Sequence, residues 1–355
     1  MKKSGLLSVF ITIAAAAVCI LLIMDSEGMI NAAKNSVTVC LNVIIPSLFA
    51  FMVFSQIMVS SGAADILFYP LYKISRFWFR GSRREFGIFM LSLIGGYPVG
   101  IKLLKEEIAY NENYTAIAEK MLCYCYCGSP AFIIQVAGLS VLGSSKVGLT
   151  AYVSNVLACL TAAVILNLFS GKENVLKNTP PSKAKITLQS VTDSINGAVK
   201  SLGIICGTIL AFNIVLELLS FSGIMGFLES INADKIFYAA FEISNLSLFK
   251  GNSYALLPLF AALTSFGGLC IIMQTAALSM GKVNLKKFFF WRIPVSALSA
   301  AYCYILTLFF PISVETEAAM SAIPVLSSVN PICSVCLIVM TFILLKGVTE
   351  KNGNI

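Results

Sequence analysis

Runs of about 20 apolar residues recur along this chain, and they limit what it can fold into, because a helix of that length crosses the ~30 Å hydrocarbon core of a bilayer. Such runs occupy 37–59, 86–104, 115–142, 147–169, 202–219, 256–280 and 288–310, with further apolar segments at 5–24 and 331–345. Charged residues make up 12% and hydrophobic ones 58% of the 355, whereas a soluble domain carries roughly 25% charged residues. A chain with a mean hydropathy of +0.87 cannot cover its own surface in water. The sequence therefore predicts an all-α polytopic membrane protein with a single membrane domain over 1–355 and the lipid bilayer as its first partner.

The formal charge of +8 sits in short loops between the apolar runs. That distribution reads as topology signals rather than as the stripe that nucleic acid requires, so no nucleic-acid partner is expected. Lys2 and Lys3 precede 5–24, which is a signal peptide or a first span; its length and the lack of a clear cleavage motif favour a retained helix. The positive-inside rule then leaves the chain outside at Ser26 and returns it through 37–59, where Pro46 is a tolerated kink, to a cytoplasmic cluster of Lys73, Arg76, Arg80, Arg83 and Arg84. A polar linker at 171–185, with Lys172, Lys177, Lys183 and Lys185 around Pro180-Pro181, divides repeat 1 (29–170) from repeat 2 (186–311), and 312–355 forms a C-terminal segment. Within repeat 2 an amphipathic approach at 186–200 leads into the span at 202–219. On this topology Lys282, Lys286, Lys287, Lys346 and Lys351 would lie outside, against the rule.

Several apolar runs are broken. Gly95-Gly96-Tyr97-Pro98-Val99-Gly100 interrupts 86–104, Gly128-Ser129-Pro130 interrupts 115–142, and Ser265-Phe266-Gly267-Gly268 interrupts 256–280. Free backbone in hydrocarbon is tolerated only where protein or a water-filled cavity surrounds it. The first and third breaks predict re-entrant hairpins, with a straight span as the alternative for the first; the second predicts a discontinuous helix. The halves also align without gaps in two blocks. Ser61-Gly62 falls on Ser222-Gly223 at an offset of 223 − 62 = 161, and Gly95-Gly96 on Gly267-Gly268 at 267 − 95 = 172, where Lys102 meets Gln274 and Lys120 meets Arg292. Equivalent helices then run in opposite directions, which predicts two inverted repeats with substrate held near the midplane.

The chain has no histidine, which excludes His-based triads and His-type zinc sites. Its 11 cysteines lie mostly inside apolar runs and read as small hydrophobes, the Cys333/Cys336 pair and the Cys123, Cys125, Cys127 alternation included. Neither a nucleophile–base pair nor a metal cluster emerges, so no enzyme, metal or cofactor is expected. Broken helices direct free N–H groups and a positive dipole end into a cavity, which suits a carboxylate. The candidate substrate-binding residues are accordingly Gly95, Gly96, Tyr97, Pro98, Lys102, Lys120, Gly128, Ser129, Pro130, Ser265, Gly267, Gly268, Gln274 and Arg292. For Lys102, Lys120 and Arg292 the competing reading is a structural charge at a helix end; Tyr97 can stack on an aromatic ligand or be an interfacial tyrosine. Glu242 with Asn245 is the acid–amide pair that can hold a coupling proton or cation; the alternative is a solvated acid in an outer loop.

The stretch from Gly95 to Lys102, followed by Ala118-Glu119-Lys120 and Gly128-Ser129-Pro130-Ala131-Phe132, resembles the first half of YlbJ-type sporulation integral membrane proteins of the nucleoside-recognition (Gate) domain group. Glu242-Ile243-Ser244-Asn245 and Ser265-Phe266-Gly267-Gly268-Leu269-Cys270, with Gln274 and Arg292 beyond, resemble its second half, so the likeness covers roughly 37–304. It implies a role in endospore formation, in the cell membrane or outer forespore membrane of a spore-forming bacterium, with transport of a small anionic substrate, dipicolinate. The Gate group more broadly implies a nucleoside or ion transporter. The family's Asn-rich stretch before the Gly-x-Pro break is replaced here by Cys123-Tyr124-Cys125-Tyr126-Cys127. A non-transporting sporulation scaffold is the other reading, and the oligomeric state is left open.

Overall fold

A computed structural model describes Thr12 and residues 20–21, 23–169, 186–249 and 254–310. The expected first span at 5–24 lies largely outside the described residues, and the linker at 171–185 and the segment 312–355 lie wholly outside them, with Cys333, Cys336, Lys346 and Lys351. Among the described residues every regular element is helical. Five helices there are long and apolar enough to cross a membrane, Ser26–Ser60, Ser145–Phe169, Leu188–Phe221, Leu257–Ser279 and Lys286–Phe309. The chain is an all-α, multi-pass integral membrane protein.

Two long helices form one side of the molecule. The first, α1 (Ser26–Ser60), starts well before the expected residue 37, because Asp25 caps it by accepting the Gly28 N–H at 3.3 Å. Its Cys40–Ile44 stretch is π-helical, with Ile45 N–H bonded to Cys40 O. Proline at 46 has no N–H to give and its ring crowds the preceding turn, so the wider turn just before it removes the clash without ending the helix. The second, α8 (Leu188–Phe221), joins the expected approach and span into one rod, started by a capping box between Thr187 and Ser190. No breaker lies between 200 and 202 to divide it. Asn213 Nδ2 donates to Ser36 Oγ at 2.9 Å, and a Cβ on Gly197 would meet Gln56 Oε1 at 2.9 Å. These contacts pair an early residue of α1 with a late one of α8 and the reverse, so the two helices are antiparallel. Each ends in a left-handed glycine, Gly62 at φ 78° and Gly223 at φ 80°, as the first repeat block implies.

After two short helices, α2 (Ala63–Leu67) and α3 (Tyr69–Ser75), comes a closed hairpin of α4 (Arg83–Gly95) and α5 (Val99–Tyr110). Its arms pack on each other and its base is clamped by a bidentate pair, Arg84 Nε and Nη2 to Glu107 at 2.7 and 2.6 Å. The expected discontinuous helix follows as α6 (Thr115–Leu122), an irregular stretch through Ser129, and a π-helix, Ala131–Val141; α7 (Ser145–Phe169) then packs along the π-helix. Beyond α8 come α9 (Ile224–Ser230), α10 (Asp234–Phe241), a 3-10 helix (Ile243–Phe249) that packs back on α10, the broken pair α11 (Leu257–Phe266) and α12 (Gly268–Ser279), and α13 (Lys286–Phe309).

The second break departs from the expected re-entrant hairpin. The helices on either side of Gly267 diverge, α11 packing on α13 and α7, and α12 on α8 and α5. Ser296 of α13 donates to Ala262 O of α11 at 2.7 Å and Ser299 Oγ lies 3.1 Å from Ala261 O, while the turn after α12 returns to α6, Asn284 N–H bonding Glu119 Oε1 at 2.9 Å. Consecutive glycines at φ 83° and 79° bend the backbone without folding it double. Leu257–Ser279 is thus a discontinuous helix that passes through. In element order its break takes the place held in the first half by 123–129, not by Gly96, so the second repeat block aligns residues whose elements differ. Lys282 consequently lies near Lys105, toward the end of the molecule where Arg84 meets Glu107.

In a cysteine-free background, the pair Ser36→Cys and Asn213→Cys should cross-link on mild oxidation, whereas Ser36→Cys with Gly197→Cys should not. Gel mobility checks this, and the opposite pattern would make the helices parallel.

Candidate functional site

The chain breaks converge on one another. Tyr97 N–H donates to Cys127 O at 2.6 Å, and Tyr97 Oη donates to Thr264 O at 3.2 Å, which joins the first break to the second and to α11. The approach is so close that side chains do not fit. A Cβ on Gly96, itself at φ 74°, would sit 2.7 Å from Ser129 Cβ; one on Gly267 would strike the Tyr126 hydroxyl; and one on Gly268 would lie 3.3 Å from Ile243 N. Tyr126 packs at a tilt against Tyr97, ring centres 5.0 Å apart, and meets Phe288 edge-on at 5.0 Å.

A cavity of about 240 Å³ opens at this junction. That is below the ~300–1,000 Å³ typical of sites for drug-sized ligands, so it has room for one small metabolite. The first half contributes Tyr97, Pro98, Ser129, Ala131 and Phe132; the second contributes Glu242, Ile243, Ser244, Ile271 and Gln274. Val43, Ile44, Ser47 and Leu48 of α1, with Ile205 and Ile209 of α8, close it from the side. Helix α5 begins just after Pro98 with no side-chain cap, and the π-helix just after Pro130, where Ser129 Oγ accepts the Phe132 N–H at 3.2 Å. Their positive dipole ends therefore meet the wall that Pro98 and Ala131 form. Opposite them is Glu242, 3% exposed, which excludes the solvated outer-loop reading. One carboxyl oxygen accepts Ser244 N–H at 3.2 Å, and the other, Oε2, has no partner.

The structure divides the sequence-based candidates. Tyr97, Pro98, Ser129, Gln274 and Glu242 line the cavity. Gly95, Gly96, Gly128, Pro130, Ser265, Gly267 and Gly268 shape the breaks around it without forming its wall. The three cations are elsewhere. Lys120, half-buried, faces Glu85 near the hairpin base, and Lys102 is buried on α5 with no partner at Nζ. Arg292, 1% exposed, donates to Tyr126 O at 3.3 Å and to Cys123 O, with its guanidinium 4.6 Å from the Tyr126 ring centre and 5.0 Å from that of Phe288. It binds carbonyls that α6 leaves free where it breaks, which is the structural alternative for this residue. Asn245 turns away from the cavity, its amide 3.5 Å from Tyr238 O.

Sequence reasoning missed the aliphatic wall from α1 and α8, for which the proline at 46 was the available signal. It also missed a buried polar chain linking three long helices: Ser299 Oγ donates to Asn155 Oδ1 at 2.5 Å and Asn155 Nδ2 to Thr264 Oγ1 at 3.0 Å. A lone asparagine in the middle of an apolar span is the mark that could have found it. No family model, curated protein or solved structure matches the chain.

Four variants test the junction. Gly96→Ala should destabilise the detergent-solubilised protein by about 2 kcal/mol or more, because it adds strain at positive φ to a collision with Ser129. Gly207→Ala, in α8 with open space around it, should be neutral or stabilise by up to ~1 kcal/mol through helix propensity. Arg292→Gln should cost about 3 kcal/mol, with Arg292→Lys in between, since lysine keeps the charge without the fork that reaches two carbonyls. Thermal melting reads all four, and equal melting of the two glycine variants would remove the close-approach argument.

Proposed function

We propose that this chain is a membrane transporter that carries a small organic anion through the cavity at its broken helices. The observation that carries the reading is the convergence of three interruptions, at Gly96–Pro98, at Cys123–Ser129 and at Glu242, around one partly open cavity. Interrupted helices are costly in a bilayer and persist where they line a path for a solute. Two helix N-termini on the wall suit a carboxylate, and Tyr97 offers an aromatic face.

The architecture under this reading is two inverted halves. Antiparallel α1 and α8 are their leading helices, and the α4–α5 hairpin is re-entrant, because each arm of 12 or 13 residues rises only about 20 Å. Its base, with Lys73, Arg76 and Arg80 near it in sequence and Lys282 toward the same end, faces the cytoplasm. A scaffold would need neither the cavity nor a buried acid inside it, and so is the weaker reading. Dipicolinate, in a spore-forming bacterium, follows from the family resemblance and is the first substrate to test; a nucleoside of the Gate-group kind is the comparison.

Purified protein in liposomes should take up labelled dipicolinate faster than protein-free vesicles do. Phe132→Trp, which fills the cavity from its wall, should reduce the rate roughly tenfold, the effect of ~1.4 kcal/mol on a barrier. Uptake of a nucleoside in place of dipicolinate would reassign the substrate, and uptake of neither would favour the scaffold.

A further inference from the structure

Glu242 has no cation to pair with. The titratable groups that face it are Cys270 of α12, Cys40 of α1, Tyr97 of the first break and Tyr126 of the second, with Cys206 of α8 beyond Cys40. None of them can form a cation, and no lysine or arginine is among the described cavity-lining residues. A carboxylate in such a place is unpaired and desolvated, while the neutral acid loses much less. Glu242 nonetheless lines the cavity, and its buried Oε2, beside the Cys270 thiol, has no hydrogen-bond partner. A small rotation of the carboxyl would let it give or take a proton at whatever the cavity holds.

We propose that Glu242 is the proton-coupling group of this transporter, and that an anionic substrate enters the cavity only when Glu242 carries a proton. The inference rests on the transport reading for its second half and on the buried, unpartnered carboxyl alone for its first. With Glu242 ionised, two negative charges would share a space of about 240 Å³ without a counter-ion, at a cost that low dielectric makes prohibitive. With Glu242 protonated, its O–H can donate to the substrate carboxylate while the two helix N-termini face the same anion. Each cycle then moves one proton with each anion: water protonates Glu242 on the loading side, and the proton returns to water on the other after the substrate leaves. The sign follows from burial. The acid form persists to higher pH than for a solvated carboxyl, so substrate binding is full at low pH and is lost as pH rises through the Glu242 pKa.

Two measurements on the full chain in liposomes separate the parts of this proposal. Dicyclohexylcarbodiimide reacts with protonated carboxyls in apolar surroundings. The acid proton passes to a carbodiimide nitrogen, the carboxyl oxygen adds to the central carbon, and the adduct rearranges to an N-acylurea with no leaving group. Peptide mass spectrometry should find this adduct on Glu242 in mildly acidic buffer, falling about tenfold for each pH unit above its pKa. Labelling of Glu106 or Glu119 with none on Glu242 would overturn the proton site, whatever the transport result. The second measurement uses dipicolinate as probe. With the membrane potential clamped at zero, because one proton moving with a dicarboxylate leaves net charge, a tenfold inward proton gradient should give up to about tenfold accumulation. Glu242→Gln, a mimic of the acid form, should abolish accumulation while preserving exchange of internal for external dipicolinate, and Glu242→Asp should restore part of it. Accumulation by Glu242→Gln equal to the parent would refute coupling through this residue. Pronounced Glu242 labelling without dipicolinate uptake would leave the proton site standing and remove the anion as its partner.

Discussion

Backbone polarity in a low-dielectric medium is the constraint on which the rest of this structure depends. A helix can cross hydrocarbon because it satisfies its own N–H and C=O groups, and each interruption exposes several of them at several kcal/mol apiece. Here the interruptions satisfy one another. Tyr97 N–H goes to Cys127 O, and the carbonyls at Cys123 and Tyr126 go to the Arg292 guanidinium. No one break would be tolerable alone, so the junction forms as a unit. Glycine at 96, 267 and 268 is the packing corollary, since the strands of broken backbone must approach within a distance that excludes a Cβ.

The same constraint explains the buried arginine. A guanidinium in the membrane interior is costly unless paired, and no carboxylate is bonded to Arg292. Two carbonyl dipoles at the end of α6 and two aromatic faces replace it. Residues 123–127 thereby acquire a reason for their alternation that their cysteines obscured. Tyr124 and Tyr126 are fully packed aromatics, and the odd positions hold small thiols where larger side chains would not fit. Gly100 touching Cys125 O shows how tight the space is.

Much of the fold was legible in the sequence, for a physical reason: hydrophobic length and Gly/Pro punctuation act locally. The helices at 145–169 and 286–309 and the breaks at 96, 128 and 267 all follow from short windows of residues. The re-entrant assignment at Gly267 failed because direction after a break is set by what the two arms pack against. Arg84 and Glu107 tie the arms of the first break together, and no such pair joins α11 to α12. The start of α1 at Ser26 was missed since its first turns are polar and look like loop until Asp25 is seen as a cap. Of the site, the break residues were found and the cations misplaced. Charge in an apolar run marks a structural obligation as readily as a ligand, and only the contacts distinguish them.

With the three cations outside the cavity wall, the charge of the cavity rests on Glu242 and on helix dipoles. A site that selected anions with fixed lysines would hold them at any pH and release them slowly, because desolvated opposite charges separate at high cost. A site that selects them with helix N-termini and a titratable acid has an affinity that depends on one proton. Binding and release can then be governed by the same event, protonation on one side and loss of the proton on the other, without moving a basic side chain. Under the transport reading proposed above, the differential affinity of the two protonation states for the anion would also be what shifts the protein between conformations, because a ligand biases an equilibrium only by that difference. The position of the acid at the turn between α10 and the 3-10 helix, next to the bend at Gly268, brings that difference to the least continuous part of the backbone, where changes in helix direction are cheapest.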